Sequence, residues 1–385
     1  MLPFALVIVL SMRVSRPFVH FYVFEVYKHR IGHFALETEL VALKSRYDSQ
    51  NGKKSVVVFY FPDQPPANIQ LEAMFRRELK CMSGNWGWLI NQFAKFFDGM
   101  NISAQRTTVD WYGLLAKFPK ILKFTAEEKA HLEIDNLALR PNQKFVCLHV
   151  RDGAYASEYF NNSSHQTFRN TEIETYLNAA ESLAERGYAI YRTGVKVHKK
   201  LLADNPKIID YATNGMRTDF LDIYLAYEAE FVISTASGWD SVPTIFRRPI
   251  LKVNVLPIFA HDNLAMNHLI IPKILCDFRS KKPMTLGEII DRDVSNLYVT
   301  GTYRDAGVEI RDLSSEELVE AVTEMAQRVE GTFVETPEQK EMQAKLKHIL
   351  STHPKLQPSP NYYPIRAQFA SCFLSRYPNF LDGLD

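Results

Sequence analysis

The 385-residue chain has little with which to bind a metal or close a disulfide. Its four cysteines, Cys81, Cys147, Cys276 and Cys372, form no CxxC pair and no Cys/His cluster of zinc-ligand spacing. They are expected as reduced, small core residues of a cytoplasmic protein. The histidines contain no HExxH, so no metal site is expected. GxGxxG and GxxxxGKS/T are both missing, which disfavours dinucleotide-dependent oxidoreductases and P-loop NTPases. GxSxG is missing too, so a hydrolase triad has no support. An excess of one charge is also lacking: 45 Lys and Arg against 44 Asp and Glu leave +1. Nucleic-acid-binding domains carry a basic excess, so no nucleic-acid partner is expected.

Long hydrophobic runs are absent near the start. The apolar stretch Leu2 to Leu10 is nine residues, against the ~20 needed to span a bilayer. No basic residue precedes it and no small-residue cleavage site follows, so no secretory leader is expected. Arg13 and Arg16 come directly after it. Two readings stay open: a segment packed on the first domain, or one that touches an anionic membrane surface peripherally from the cytoplasm. The Asn-x-Ser triplets at Asn101, Asn161 and Asn162 then count as accidental.

What is present is alternation. "FVHFYVFEVY" reads as a strand, "FALETELVALKSRY" as a helix with a broad apolar face, and "SVVVFYF" as a buried strand. Helical patterns follow over 68–80, 86–97 and 125–137, the last opened by the capping box "TAEE". "RPNQ", 140–143, breaks the pattern and marks a boundary. A second series then begins with "KFVCLHV". It continues with a helix capped by Thr171 and stopped at Gly187, and with strands "YAIYRT", "KIIDYA", "AEFVIST" and "PILKVNV". "TDFLDIYLAYE" and "GWDSVPTIF" read as helices between them, and "SSEELVEAVTEMAQRV", "TPEQKEMQAKLKHIL" and "IRAQFASCFLSRY" as later ones. Short strand–helix–strand units imply parallel sheets. The expected fold class is α/β, with two Rossmann-like domains facing a cleft, at 1–140 and 141–335. The helices of 336–385 are placed back on the first domain.

Ligands of open parallel sheets bind beyond the carboxyl ends of the strands. The residues there are the candidates. His149, Arg151, Asp152 and Gly153 end the first strand of the second domain. Arg151 is suited to forking onto phosphate oxygens, and a structural pair with Asp152 is the alternative. Gly194 follows the next strand. Arg217 precedes the cap Thr218, with Asp219 and Asp222 in the first turns of that helix. Ser234, Thr235, Ser237 and Gly238 run into a helix start, a setting for an anion held by free N–H groups. Arg169 and Asn170 precede another helix start. Arginines at several such ends suggest a multiply charged ligand such as a nucleotide diphosphate.

Taken in order from Arg30 to Arg328, "RIGHFALETEL", "FVCLHVRDGAY", "FRNTEIETY", "GYAIYRTG", "IIDYA", "RTDFLDIYLAYEAEFVISTASGWDSVP" and "PILKVNVLP" resemble a group of bacterial glycosyltransferases encoded among surface-polysaccharide genes. "HVRD" and "SGWDSVP" also resemble the nucleotide-binding motifs of GT-B fucosyltransferases at motif level. The resemblance implies a GT-B architecture. Its C-terminal domain would bind the sugar nucleotide and its N-terminal domain the acceptor. It implies an acceptor site at Arg30, Gly32 and His33. Inverting GT-B enzymes often carry a base in the loop after the first strand, several of them with Gly-His there, so the resemblance implies His33 as the candidate base, a polar helix cap being its other reading, with Arg151 and Asp152 as further catalytic candidates. The chemistry fits: an imidazole can take the acceptor proton, while arginines receive the departing diphosphate. Glu37 or Asp152 is the next candidate base.

The function expected is transfer of a hexosyl or deoxyhexosyl group from a nucleotide-sugar donor to a saccharide or lipid-linked acceptor, without metal or cofactor. The alternatives are a non-catalytic nucleotide- or sugar-binding protein and a sugar-nucleotide epimerase or phosphatase.

Overall fold

The structure, a computed structural model, describes residues 2–97, 104, 106–134, 143–159, 164–259, 267–356 and 366–383. The Asn-x-Ser triplets at Asn101, Asn161 and Asn162, and 140–142 of the expected boundary, lie outside the described residues. The chain forms two compact units, one of 1–136 with 244–247, the other of 137–243 with 248–385.

The first unit runs α1 (Leu2–Val14), β1 (His20–Glu25), α2 (Ile31–Gln50), β2 (Ser55–Tyr60), α3 (Ile69–Glu78), β3 (Cys81–Met82), α4 (Gly84–Ala94), α5 (Leu114–Lys117) and α6 (Ala126–Ile134). Its three strands pair in parallel in the order β1-β2-β3. β1 and β2 are aromatic and β-branched and leave one face half covered. Asn68 caps α3 by accepting from the Leu71 N–H, and Ser83 caps α4. Thr125 and Glu128 form the expected reciprocal box at the start of α6. α4 lies flat on β2 because residue 87 is glycine: a Cβ there would stand 2.2 Å from Cγ of Tyr60.

The second unit runs β4 (Phe145–His149), α7 (Ala154–Tyr159), α8 (Leu177–Glu185), β5 (Ala189–Thr193), β6 (Ile208–Ile209), α9 (Asp219–Glu228), β7 (Phe231–Ser234), α10 (Ser241–Ile245), β8 (Ile250–Val255), β9 (His268–Pro272), β10 (Ile274–Asp277), α11 (Leu286–Asp291), α12 (Thr300–Asp305), β11 (Val308–Arg311), α13 (Ser315–Glu330), α14 (Pro337–Thr352), β12 (Gln368–Phe369) and α15 (Ser371–Arg376). α10 begins in this unit and ends in the segment assigned to the first. The sheet order is β12-β9-β8-β7-β4-β5-β6, with every pair parallel. β4, β5, β7, β8 and β9 are apolar nearly throughout because both of their faces are covered. The α/β class and the two parallel sheets expected from the sequence are thus present.

Four expectations need correction. The helix expected from Thr171 starts later: a 3-10 turn, Ile173–Tyr176, precedes α8. Thr171 is not its cap: Glu172 occupies the N-cap of that turn, and the Thr171 N–H is bonded to the Arg151 carbonyl at 3.0 Å. "GWDSVPTIF" is not one helix but a 3-10 turn, Gly238–Asp240, followed by the five-residue α10. The chain end belongs to the second unit: β12 pairs with β9, and Phe373 and Phe380 join that unit's core. Finally, Cys81 is exposed, whereas Cys147 and Cys276 are buried.

Candidate functional site

In the first unit the chemistry gathers after β1. Arg30 stands at the N-cap of α2 in extended conformation and caps nothing with its side chain. Gly32 and His33 lie in the first helical turn, so His33 is not a cap. Its Nδ1 lies 2.8 Å from Oε1 of Glu37, one turn on. Arg106 donates to the other oxygen of Glu37 at 3.2 Å and to the Glu25 carbonyl at 2.9 Å. A carboxylate only accepts, so Nδ1 carries the proton and Nε2 keeps the lone pair in the neutral ring. Glu37 is buried, while the His33 side chain is 42% exposed. Tyr27 packs edge-on to His33 at 5.4 Å, with the Arg106 guanidinium 5.4 Å from its ring. Burial, then Arg30 and His33, lower the pKa of His29. Tyr60 donates to Glu25 at 2.5 Å, and burial and that carboxylate push its phenol well above the usual range.

In the second unit the ends of β4 and β7 are joined. The Thr235 hydroxyl accepts the Arg151 N–H at 2.9 Å, and the Thr235 N–H reaches the His149 carbonyl at 3.2 Å. Arg151 is not paired with Asp152. Among the described residues its guanidinium reaches the Gln166 amide oxygen, at 3.4 Å, and forms no ion pair with a carboxylate. Burial, and then neighbouring Arg169, push Arg151 down to about 10. Arg169 in turn donates to the carbonyl of Ala236, a non-glycine residue at φ 59°. Two arginines therefore sit close together beyond the strand ends.

Gly153, at φ +85°, lies so near Asn170 that a Cβ would stand 2.6 Å from its side-chain nitrogen. The Asn170 carbonyl is held at 2.7 Å by buried Lys273, which pairs with Asp312. Burial lowers the pKa of Lys273. These contacts fix the Arg169 segment against the β4 loop. His149 stacks on Trp239 at 4.9 Å and meets the Thr193 hydroxyl at 3.0 Å. Burial pushes it down to about 4, so it is neutral near pH 7.

Several candidates are occupied within the protein. Asp152 accepts from the N–H groups of Ala154 and His198 at 3.0 and 2.6 Å, closing its loop. Ser234 donates to buried Asp240 at 2.5 Å, and Ser237 accepts the Trp239 N–H at 3.1 Å. With so short a helix after Gly238, the expected helix-type anion site does not form. Gly194 is small for the chain's own sake, since a Cβ would meet Val197 at 2.8 Å. Arg217 pairs with Asp222 at 2.9 Å and Asp219 at 3.8 Å, and Asp222 also accepts from Tyr211. Burial raises the pKa of Asp222 despite Arg217.

The sequence reading missed Arg106 and fully buried Arg192, whose guanidinium lies 3.1 Å from Asp210 and 3.9 Å from Asp152. The i,i+4 spacing of His33 and Glu37 was the available signal for that pair. One Asp-x-Asp triplet, Asp291 to Asp293, also escaped notice. It closes α11, where Asp293 pairs with Lys355. Among the described residues no group of three or more His, Cys, Asp or Glu could hold a metal ion.

No protein-family model and no curated protein matches the sequence. Among solved structures, the chain is similar to a glycosyl transferase of family 9 from Veillonella parvula, at 10% identity over 80% of this chain and 97% of that one, with a TM-score of 0.44. It is similar to an E. coli heptosyltransferase solved with ADP-2-deoxy-2-fluoro heptose, at 12% identity over 65% and 92%, TM-score 0.33. A UDP-N-acetylglucosamine 2-epimerase is also similar, at 10% identity over 82% and 98%, TM-score 0.28. At such scores the architecture is argued from the chain's own sheets.

Proposed function

We propose that the protein is a GT-B glycosyltransferase that moves a sugar from a nucleotide donor to a saccharide or lipid-linked acceptor. The observation that carries this reading is the Arg151–Arg169 pair: two cations beyond parallel strand ends, with no carboxylate paired to Arg151 among the described residues. Such a pair is unfavourable alone and is relieved by a ligand of multiple negative charge. A nucleoside diphosphate supplies that charge, and its departure as leaving group is what the arginines stabilise in the transfer step. The second unit binds the donor. The first supplies the base: His33, oriented by Glu37, takes the acceptor hydroxyl's proton at Nε2 as the oxygen attacks the anomeric carbon. A single displacement of the diphosphate by the acceptor oxygen would invert the anomeric centre. The charge on the leaving group is met by arginines rather than by a metal ion, and the reaction takes place in the cytoplasm.

The test is a panel of nucleotide sugars and nucleoside diphosphates, followed by melting temperature in excess EDTA and by turnover with added acceptors. A raised melting temperature with a diphosphate, and sugar transfer on adding acceptor, are expected. A shift seen only with Mg²⁺ or Mn²⁺ overturns the metal-free reading. Binding without transfer to any acceptor overturns the enzymatic one, and release of an epimerised sugar replaces it.

A further inference from the structure

α1 is apolar all round yet covered on one side only. Ala5 and Val9 are buried against α4, in a small cluster with Val23, Tyr60, Ile90 and Ala94. The rest of the helix faces outward: Phe4 is 69% exposed, Val7 60% and Val14 76%, and beyond its end Phe18 is 79% exposed. α4, on which α1 lies, adds Trp88 at 55%, and Phe96 just past its end is 82% exposed. A helix apolar on every side is normally buried on every side, and exposed apolar surface of this kind marks an interaction surface.

The charges within the two stretches that carry these residues are of one sign. From Leu2 to Phe24 and from Gly84 to Phe97 there is no Asp or Glu. Arg13, Arg16 and Lys95 are the cations of these two stretches, and the Arg13 guanidinium lies 5.8 Å from the Phe97 ring. At 13 residues α1 is short of a span, and no helix among the described residues is long and apolar enough to cross a membrane.

We infer that the outer face of α1, extended by Trp88 and Phe96 of the α4 segment, is a docking surface for an anionic lipid bilayer, lying in the headgroup region rather than crossing. Apolar side chains enter the acyl boundary, the indole suits the interface, and the cations meet lipid phosphates. A second copy of the chain would cover the apolar residues but would set the arginines of one copy near those of the other. An anionic bilayer satisfies both halves of the surface. This inference stands independently of what the second unit binds.

The test is sedimentation of the full chain with phosphatidylcholine vesicles, with and without phosphatidylglycerol, at low and high salt. Binding is expected only with phosphatidylglycerol and is expected to weaken in high salt. Arg13→Gln lowers partitioning about fivefold, the worth of one basic residue near such a surface. Val7→Glu and Val14→Glu abolish binding while leaving the melting curve unchanged, since both side chains point to solvent. Absence of binding at low salt overturns the inference, as does binding that survives Val7→Glu. Self-association in lipid-free solution that Val7→Glu removes, without vesicle binding by the native chain, assigns the face to a second copy instead.

Discussion

Glu37 is shared by His33 and Arg106. One oxygen lies 2.8 Å from the imidazole Nδ1 and the other 3.2 Å from the guanidinium. The carboxylate is buried and the imidazole is not, so the pair reads as a fixed orienter and an accessible partner.

If His33 is the base, His33→Ala lowers kcat by ~10²–10⁴ with little change in nucleotide affinity. Glu37→Gln keeps the shape but loses the orienting charge, so its rate falls less. Steady-state kinetics, with nucleotide titrations, check both. Near-normal turnover in His33→Ala would defeat the assignment.

Arg151→Ala weakens nucleoside diphosphate binding by ~1.5–3 kcal/mol, the range for a hydrogen bond to a charged group. Folding stability does not fall with it, because the side chain leaves no carboxylate behind and relieves the repulsion from Arg169. Arg151→Lys restores charge but not the fork, so recovery is partial. Calorimetric titration and melting curves report the two effects separately.

His149 gives the second unit an acid sensitivity. Its folded pKa of about 4 lies below the unfolded value of ~6.5, so the unfolded chain takes the proton first. Stability present above ~6.5 is lost as pH falls toward 4, by about 2 kcal/mol between pH 7 and pH 5 for this one group. Chemical denaturation at those two pH values should show the gap shrink by that amount in His149→Gln. An unchanged gap would mean that His149 is protonated as readily folded as unfolded.

Gly87→Ala should destabilise the first unit by ~1–3 kcal/mol, the range for overpacking. The new methyl would stand 2.2 Å from Tyr60 Cγ, and Tyr60 is tied to Glu25. Gly52→Ala, where a Cβ meets nothing but φ is +81°, separates backbone strain from this clash. Thermal melts of both variants make the comparison.

Elements whose cause is local were legible in the sequence. The Thr125 capping box of α6, the Thr218 cap of α9 and the Gly187 stop, at φ +98°, are present as read. What could not be read depends on distant partners. β11 pairs with β10 across two intervening helices. The Thr171 N–H goes to the Arg151 carbonyl rather than starting a helix. Within the site, the residue types at the strand ends were visible but their allegiances were not. Asp152 and Arg217 look alike from the sequence, yet one closes a loop and the other pairs with its own helix. Arg106 lies 69 residues from Glu37 in the chain, so only folding brings them together.

β12 has a consequence out of proportion to its two residues. It pairs Gln368 and Phe369 with Leu269 and Ile270, so a segment made nearly a hundred residues later covers the border of β9. Without it, "HLIIP" would be an apolar strand with one open edge, the kind of template on which chains join edge to edge. A nascent or C-terminally clipped chain would therefore have its large sheet in place and still be sticky.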